Sequence, residues 1–133
     1  MADNRKFIAD VGAAVRKRKG LMLQVAQESI QDVVRLAQTP VARGGSMPVD
    51  EGGLINSLVT ELRGAQVGQG EDSYTLGIAG LRLGDAFQVA WTAPYAIARH
   101  YKPESFGQGG GLWRDKAAQQ WQRIVASNAA KVS

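Results

Sequence analysis

The sequence predicts an α+β domain with a long N-terminal helix, a small antiparallel β-meander, and a C-terminal amphipathic helix packed on the sheet. Apolar residues recur at helical spacing through residues 7–37 and again through 113–128. Between those stretches, Phe87, Val89 and Trp91 alternate with Gln88, Ala90 and Thr92, as a half-buried strand does. Helix at each end with strands gathered between them is the order of an α+β domain whose helices cover one face of the sheet.

The first helix is capped by Asp3 or Asn4 and runs toward Gln38. Phe7, Val11 and Val15 recur four apart; Met22, Ala26, Ser29 or Ile30, Val33, and Leu36 or Ala37 continue in steps of three and four. Four cations and a glycine interrupt the stripe at Arg16–Gly20, which allows either one helix of roughly 50 Å or two helices meeting at Gly20. Residues 1–20 are therefore read as a basic helical arm and 21–39 as the helix proper, stopped by Thr39-Pro40 because proline disfavours helical geometry in the residue before it. Residues 40–53, with Pro40, Gly44, Gly45, Pro48, Gly52 and Gly53, form a long glycine/proline loop.

Residues 54–93 are expected to hold a short turn and the sheet. Leu54, Ile55 and Leu58 make one helical turn, a strand follows near Val59–Val67, and Gly68–Asp72 turns the chain. Tyr74, Leu76 and Ile78 alternate as a second strand, Leu83-Gly84-Asp85 turns again, and Phe87–Trp91 is the third strand of the meander. In residues 94–111, Pro94 opens a short helix, Tyr95–Tyr101, and Gly107–Gly111 is a flexible connector. Residues 112–130 form the C-terminal helix, with Trp113, Ala117, Trp121, Ile124 and Asn128 on one face. The whole of 1–133 reads as one domain.

Composition bounds what such a domain does. A hydrophobic share of 44% and a charged share of 21% are those of an ordinary globular chain. With no cysteine there is no disulfide, no thiolate nucleophile and no cysteine metal site. No apolar run reaches the ~18 residues of a membrane helix, so no membrane partner is expected. Charge and apolar residues are mixed from Arg5 onward, the pattern expected of a chain made in the cytoplasm without a secretory leader. Against Asp3 and Asp10, residues 1–20 set Arg5, Lys6, Arg16, Lys17, Arg18 and Lys19, so the whole net charge of +4 lies there. An anionic partner would touch that segment.

Catalytic chemistry is poorly provisioned. His100 is the single histidine, and as a general base it would need a carboxylate, with Asp50 or Asp85 the candidates in space. No serine sits in a G-x-S-x-G elbow or an S-x-x-K pair. Asp50-Glu51 and Glu71-Asp72 lie in turns without the spacing of a magnesium or calcium loop. The glycine run before the last helix lacks the lysine and Ser/Thr of a phosphate loop. The chain is read as no enzyme, with no catalytic residue, no metal and no cofactor.

Two surfaces remain. Arg16, Lys17, Arg18 and Lys19 point all around a helix and carry no interleaved aromatics, which suits an acidic partner or non-specific contact with passing DNA. Phe87, Trp91, Tyr95, Tyr101, Phe106, Trp113 and Trp121 crowd the C-terminal half. Trp91 and Trp121 are assigned to the core, and Tyr95, Tyr101 and Trp113 to a subunit interface.

The run Pro48-Val49-Asp50-Glu51-Gly52-Gly53-Leu54-Ile55-Asn56-Ser57-Leu58, after a helix ending in Thr39-Pro40, resembles the P-V-D-x-G-x-L-x-x-S motif of the neck and tail-completion proteins of long-tailed bacteriophages and prophages, a group that includes the minor tail protein Z type. Ala93-Pro94-Tyr95-Ala96 is similar to that family's Tyr-Ala pair after a strand, and Ala117–Val125 to the final helix of some members. Where the family often continues E-x-G-T, this chain has Arg99-His100-Tyr101-Lys102-Pro103.

The resemblance implies a structural protein of the virion neck. It would be made in the host cytoplasm and form a homo-oligomeric ring around the DNA channel, between head-completion or connector proteins and the tail. Pro48, Val49, Asp50, Leu54, Tyr95, Tyr101 and Trp113 are then the candidate subunit contacts. The alternatives are a ring that terminates the tail tube and, from another class, a small nucleic-acid-binding protein using the basic arm.

Overall fold

A computed structural model describes residues 2–48, 53–101 and 110–132, with the side chains of all of these except 2–16 and 98–99. The elements in chain order are α1 (Ala2–Ala37), β1 (Leu58–Leu62), β2 (Ala65–Gln69), α2 (Ser73–Ala79), β3 (Phe87–Trp91), α3 (Ala96–Tyr101), α4 (Trp113–Ala118) and α5 (Trp121–Val132), with tight 3-10 turns at Val41–Arg43 and Ile55–Ser57. The α+β class holds: a long N-terminal helix, three antiparallel strands and C-terminal helix.

Helix α1 is continuous through Gly20, so of the two arrangements open to the sequence the single helix is the one formed; its 36 residues extend about 54 Å at 1.5 Å per residue. Lys17–Gly20 are exposed and burial begins at Leu21. Farther along, Ser29, Val34, Ala37 and Gln38 are buried and Val33 packs partly against both halves of the core. Met22, placed on the apolar stripe by its spacing, is exposed instead, and of the pair Leu36 or Ala37 it is Ala37 that is buried. The physical reason is that α1 is covered on two sides, by α2 and the sheet on one and by α4 and α5 on the other, which turns the face centred on 29, 33 and 37 inward. The helix ends as expected before Pro40, where Thr39 Oγ1 donates to the Arg35 carbonyl at 2.9 Å.

The sheet departs from the meander. Its order is β2-β1-β3, with β1 central. The expected single strand over 59–67 is a hairpin, folded at Arg63-Gly64 with φ of 54° and 80°; two successive positive φ values are the twist-matched two-residue hairpin turn. The expected strand at Tyr74–Ile78 is helix α2, which buries Ser73, Tyr74, Gly77 and Ile78 and leaves Leu76 exposed. A short run alternating at period two also places residues one turn apart on one helical face, and packing decided between them. Gly77 lets α2 press onto the sheet: an added Cβ would lie 2.7 Å from Phe87 Cε2 and 2.9 Å from Thr60 Cγ2. Thr60 Oγ1 and Ser73 Oγ share a buried hydrogen bond of 2.9 Å at the same contact.

The glycine/proline loop is well tied as far as it is described. Met47 N donates to the Thr39 carbonyl and Val41 N to the Met47 carbonyl, both at 3.1 Å, and Met47 is fully buried. Gly45 lies so close to the Thr39 carbonyl that a Cβ would overlap it. The last glycines of the run at 107–111, expected to be a flexible connector, dock on this loop: Gly111 N donates to the Ser46 carbonyl at 2.8 Å. Residues 107–109 lie outside the described residues.

The C-terminal segment is two helices, α4 and α5, broken at Gln119-Gln120. α5 packs along α1, not on the sheet as expected, and it is α1 and α2 that cover the sheet face. Asn128 lies on the buried side as its spacing implied, but Trp121, assigned to the core, is exposed because the break rotates it away.

Candidate assembly surface

Pro94 ends β3, Ala96 N caps back onto the Ala93 carbonyl at 2.9 Å, and α3 then turns alongside β3. Ala96 fixes the inner side of α3 by packing with Ala37, Met47, Leu54 and Trp113. That leaves Ile97 77% exposed and Tyr101 53% exposed, with Tyr95 also at the surface. An open groove of about 230 Å³ runs between β3 and α3, with Val89, Trp91, Ile97, His100, Tyr101 and Arg114 among its walls.

Aromatic stacking builds the floor. The Trp113 ring meets Trp91 edge-on at 6.0 Å and His100 edge-on at 4.8 Å, and His100 meets Tyr101 at 4.5 Å. Edge-to-face geometry of this kind aligns ring edges with π faces. Trp91 Nε1 donates to Gln38 Oε1 at 3.1 Å, and Gln38 Nε2 donates to the Glu71 carbonyl at 2.9 Å, so one buried amide ties β3 to the turn before α2. Arg114 bridges the rim: it donates to the Tyr101 hydroxyl at 2.6 Å, pairs with Asp115 at 3.1 Å, and sits 5.9 Å from the Tyr101 ring centre.

His100 is 4% exposed, and among the described residues neither of its ring nitrogens has a hydrogen-bond partner. Among the described residues, Asp115 is the acid beside it, with Nε2 3.8 Å from Oδ1. Burial pushes the imidazole below its ordinary value, the Asp115 carboxylate opposes this, and Arg114 adds to it, leaving the ring neutral near pH 7. Of the carboxylates weighed from the sequence, Asp85 pairs instead with Arg63 at 2.6 Å, and Asp50 lies outside the described residues.

Of the expected interface residues, Tyr95 and Tyr101 are at the surface, whereas Trp113 is 2% exposed and belongs to the core with Leu54, and Pro48 is buried too. Val49 and Asp50 lie outside the described residues, as does Phe106. Trp113 was misassigned because it adjoins the glycine run, although its helical spacing to Ala117 already marked a buried face. Ile97 was missed; in the turn Tyr95–Tyr101 it is an apolar residue off the Ala96–His100 face, which is the available signal.

Lys17, Arg18 and Lys19 are exposed, and the Arg16 side chain lies outside those described. Among the described residues there is no cluster of three or more His, Cys, Asp or Glu fit to hold a metal ion, and no helix is long and apolar enough to cross a membrane. Comparison with protein-family models, with curated proteins and with solved structures finds no match to this chain.

Proposed function

We propose that the chain is a structural subunit of a phage-type neck, forming a homo-oligomeric ring that joins head to tail around the DNA channel. The observation that carries the reading is the α3 surface: Ile97 and Tyr101, 77% and 53% exposed, stand together beside an open groove. Aromatic and aliphatic residues left in water next to a groove are the makings of an interface anchor. The resemblance of Pro48–Leu58 and of Ala93–Ala96 to the neck and tail-completion family supplies the identity of the assembly. Ring contacts are heterologous, so two different patches on each subunit must match.

Light scattering and negative-stain imaging of the purified chain, alone and with neighbouring neck proteins, test the reading. The expected result is a closed ring in at least one condition. A chain that stays monomeric in both and joins no particle removes it.

A second reading is favoured by the exposed run Lys17-Arg18-Lys19, which suits non-specific phosphate contact. Removing residues 1–20 and measuring DNA affinity against salt decides it: a binder loses nearly all affinity and shows a steep salt slope before truncation, whereas a neck subunit still assembles.

A further inference from the structure

We infer that the joint between copies is made by the two free edges of the sheet, β2 of one copy adding alongside β3 of the next; the inference rests on the ring reading above. The order β2-β1-β3 leaves one side of each outer strand without a ladder partner among the described residues. The hydrogen bonds fix which backbone groups face outward. Thr92 N donates to the Ser57 carbonyl and Arg63 N to the Ala86 carbonyl, so Phe87, Val89 and Trp91 turn their N–H and C=O groups away from β1. Gly70 N donates to the Leu58 carbonyl, so Gln69 does the same on β2.

Edge strands that stay solitary are protected by charge or proline. Neither Ala65-Gln66-Val67-Gly68-Gln69 nor Phe87-Gln88-Val89-Ala90-Trp91 contains either; β2 carries one bulge, opposite Thr60-Glu61, and its C-terminal end at Gly68-Gln69 lies beyond it. Each edge also carries apolar residues that a neighbour would cover. Leu76 leans over β2 at Gly68, with exposed Val67 beside it, and Ile97 and Tyr101 flank β3.

Polarity selects the occupant. Both outer strands run antiparallel to β1 and therefore parallel to each other. Repetition about an axis along the strands keeps those directions, so a ring joint pairs β3 with the neighbour's β2 in parallel. That brings the C-terminal end of β2, followed by exposed Glu71 and Asp72, to the C-terminal end of β3. A two-fold β3–β3 or β2–β2 joint would instead run antiparallel and relate two copies only, not the members of a ring.

The chain has no cysteine, so introduced thiols report cleanly. Gln69→Cys and Ala90→Cys are made separately, both at exposed positions on the same sheet face. A bismaleimide that spans a slip of two residues, about 7 Å, is applied to each and to their mixture. The expected result is a cross-linked dimer in the mixture and none in either variant alone; self-linking of either variant, or no linking in the mixture, overturns the inference. Gln69→Pro, which removes an outward N–H and no intramolecular ladder bond, is expected to abolish the ring with an unchanged circular dichroism spectrum. Ile97→Glu gives the same readout where the proline variant misfolds. A ring that persists in the folded variants sinks the edge joint while the ring reading stands; a wild-type chain that never assembles sinks both.

Discussion

Asn128 and Ser29 join the last helix to the first across 99 positions of sequence, Asn128 Nδ2 donating to Ser29 Oγ at 3.2 Å. Both side chains are buried, and the same amide donates to Asp32 Oδ2 at 3.0 Å while its oxygen accepts from Lys131 Nζ at 3.4 Å. A buried polar group is tolerable only when its partners are present. The amide thus fixes the register of α5 on α1 as well as holding it there.

Asn128→Ala is expected to destabilise the fold by about 2–3 kcal/mol, the cost of a small cavity and of a buried Ser29 hydroxyl left without its donor. Asn128→Asp should be worse at neutral pH, because two carboxylates would share the place where a donor met Asp32, and the deficit should shrink as the solution is acidified. Urea unfolding at two pH values measures both. An Asn128→Ala variant as stable as wild type would show that α5 is held by apolar contact alone.

Gly77→Ala pits two effects against each other. Alanine is favoured over glycine inside a helix by about 1 kcal/mol, but overpacking a filled contact costs about 1–3 kcal/mol. The Phe87 ring and Thr60 methyl, 2.7 and 2.9 Å from the added Cβ, cannot both retreat, because Thr60 is pinned by Ser73 and sits in the central strand. The variant is expected to lose about 1 kcal/mol or more in thermal unfolding. A gain would mean that α2 rides higher on the sheet than its glycine allows.

Gly77 also marks where the sequence was hardest to read. Tyr74, Leu76 and Ile78 alternate like a strand, yet a helix buries Tyr74 and Ile78 equally well and merely exposes Leu76, so seven residues carry too little periodicity to choose. The hairpin was invisible for a related reason: its turn is Arg-Gly, and the ordinary signal for two positive φ values is Asn-Gly or Asp-Gly. Long-range effects account for the rest. Trp113 reads as a surface residue beside a glycine run until Trp91 and His100 are folded against it, and Trp121 reads as core until the break before it turns it outward. By contrast α1, β3, α3 and the placement of Asn128 were legible, because each rests on local periodicity or on a proline.

Arg63→Asn tests the turn. An asparagine accepts a positive φ more readily than arginine does, which favours the variant, while the lost guanidinium removes a pair with Asp85 at 2.6 Å. A half-exposed ion pair is a weak contributor to stability, and Asp85 keeps the Arg82 backbone N–H at 2.8 Å. The two changes should nearly cancel, leaving the melting temperature within a few degrees of wild type. Because Arg82 N–H and the Arg63 cation hold the Asp85 carboxyl below its ordinary value, the stability it contributes is present above pH 3.8 and lost on acidification below that. The variant should therefore flatten that acid limb, and an unchanged limb would mean that the Arg82 N–H alone sets it.

His100 sets the pH dependence on the milder side. Its folded value is lowered from 6.5 by burial, so the unfolded chain takes up a proton that the folded chain refuses. Stability is then fully present above pH 6.5 and falls as pH drops from there toward the folded value, with a limiting slope of about 1.4 kcal/mol per pH unit for one proton. Asp115, 3.8 Å from Nε2, offsets part of the burial and narrows that window without reversing its sign. His100→Phe keeps a ring between Tyr101 and Trp113 and removes the titration. Its unfolding free energy is expected to stay level between pH 7 and 5.5 where the wild type declines. A wild-type curve that is level over the same range, or a variant that keeps the decline, would place the imidazole in contact with water and move the pH dependence to other groups.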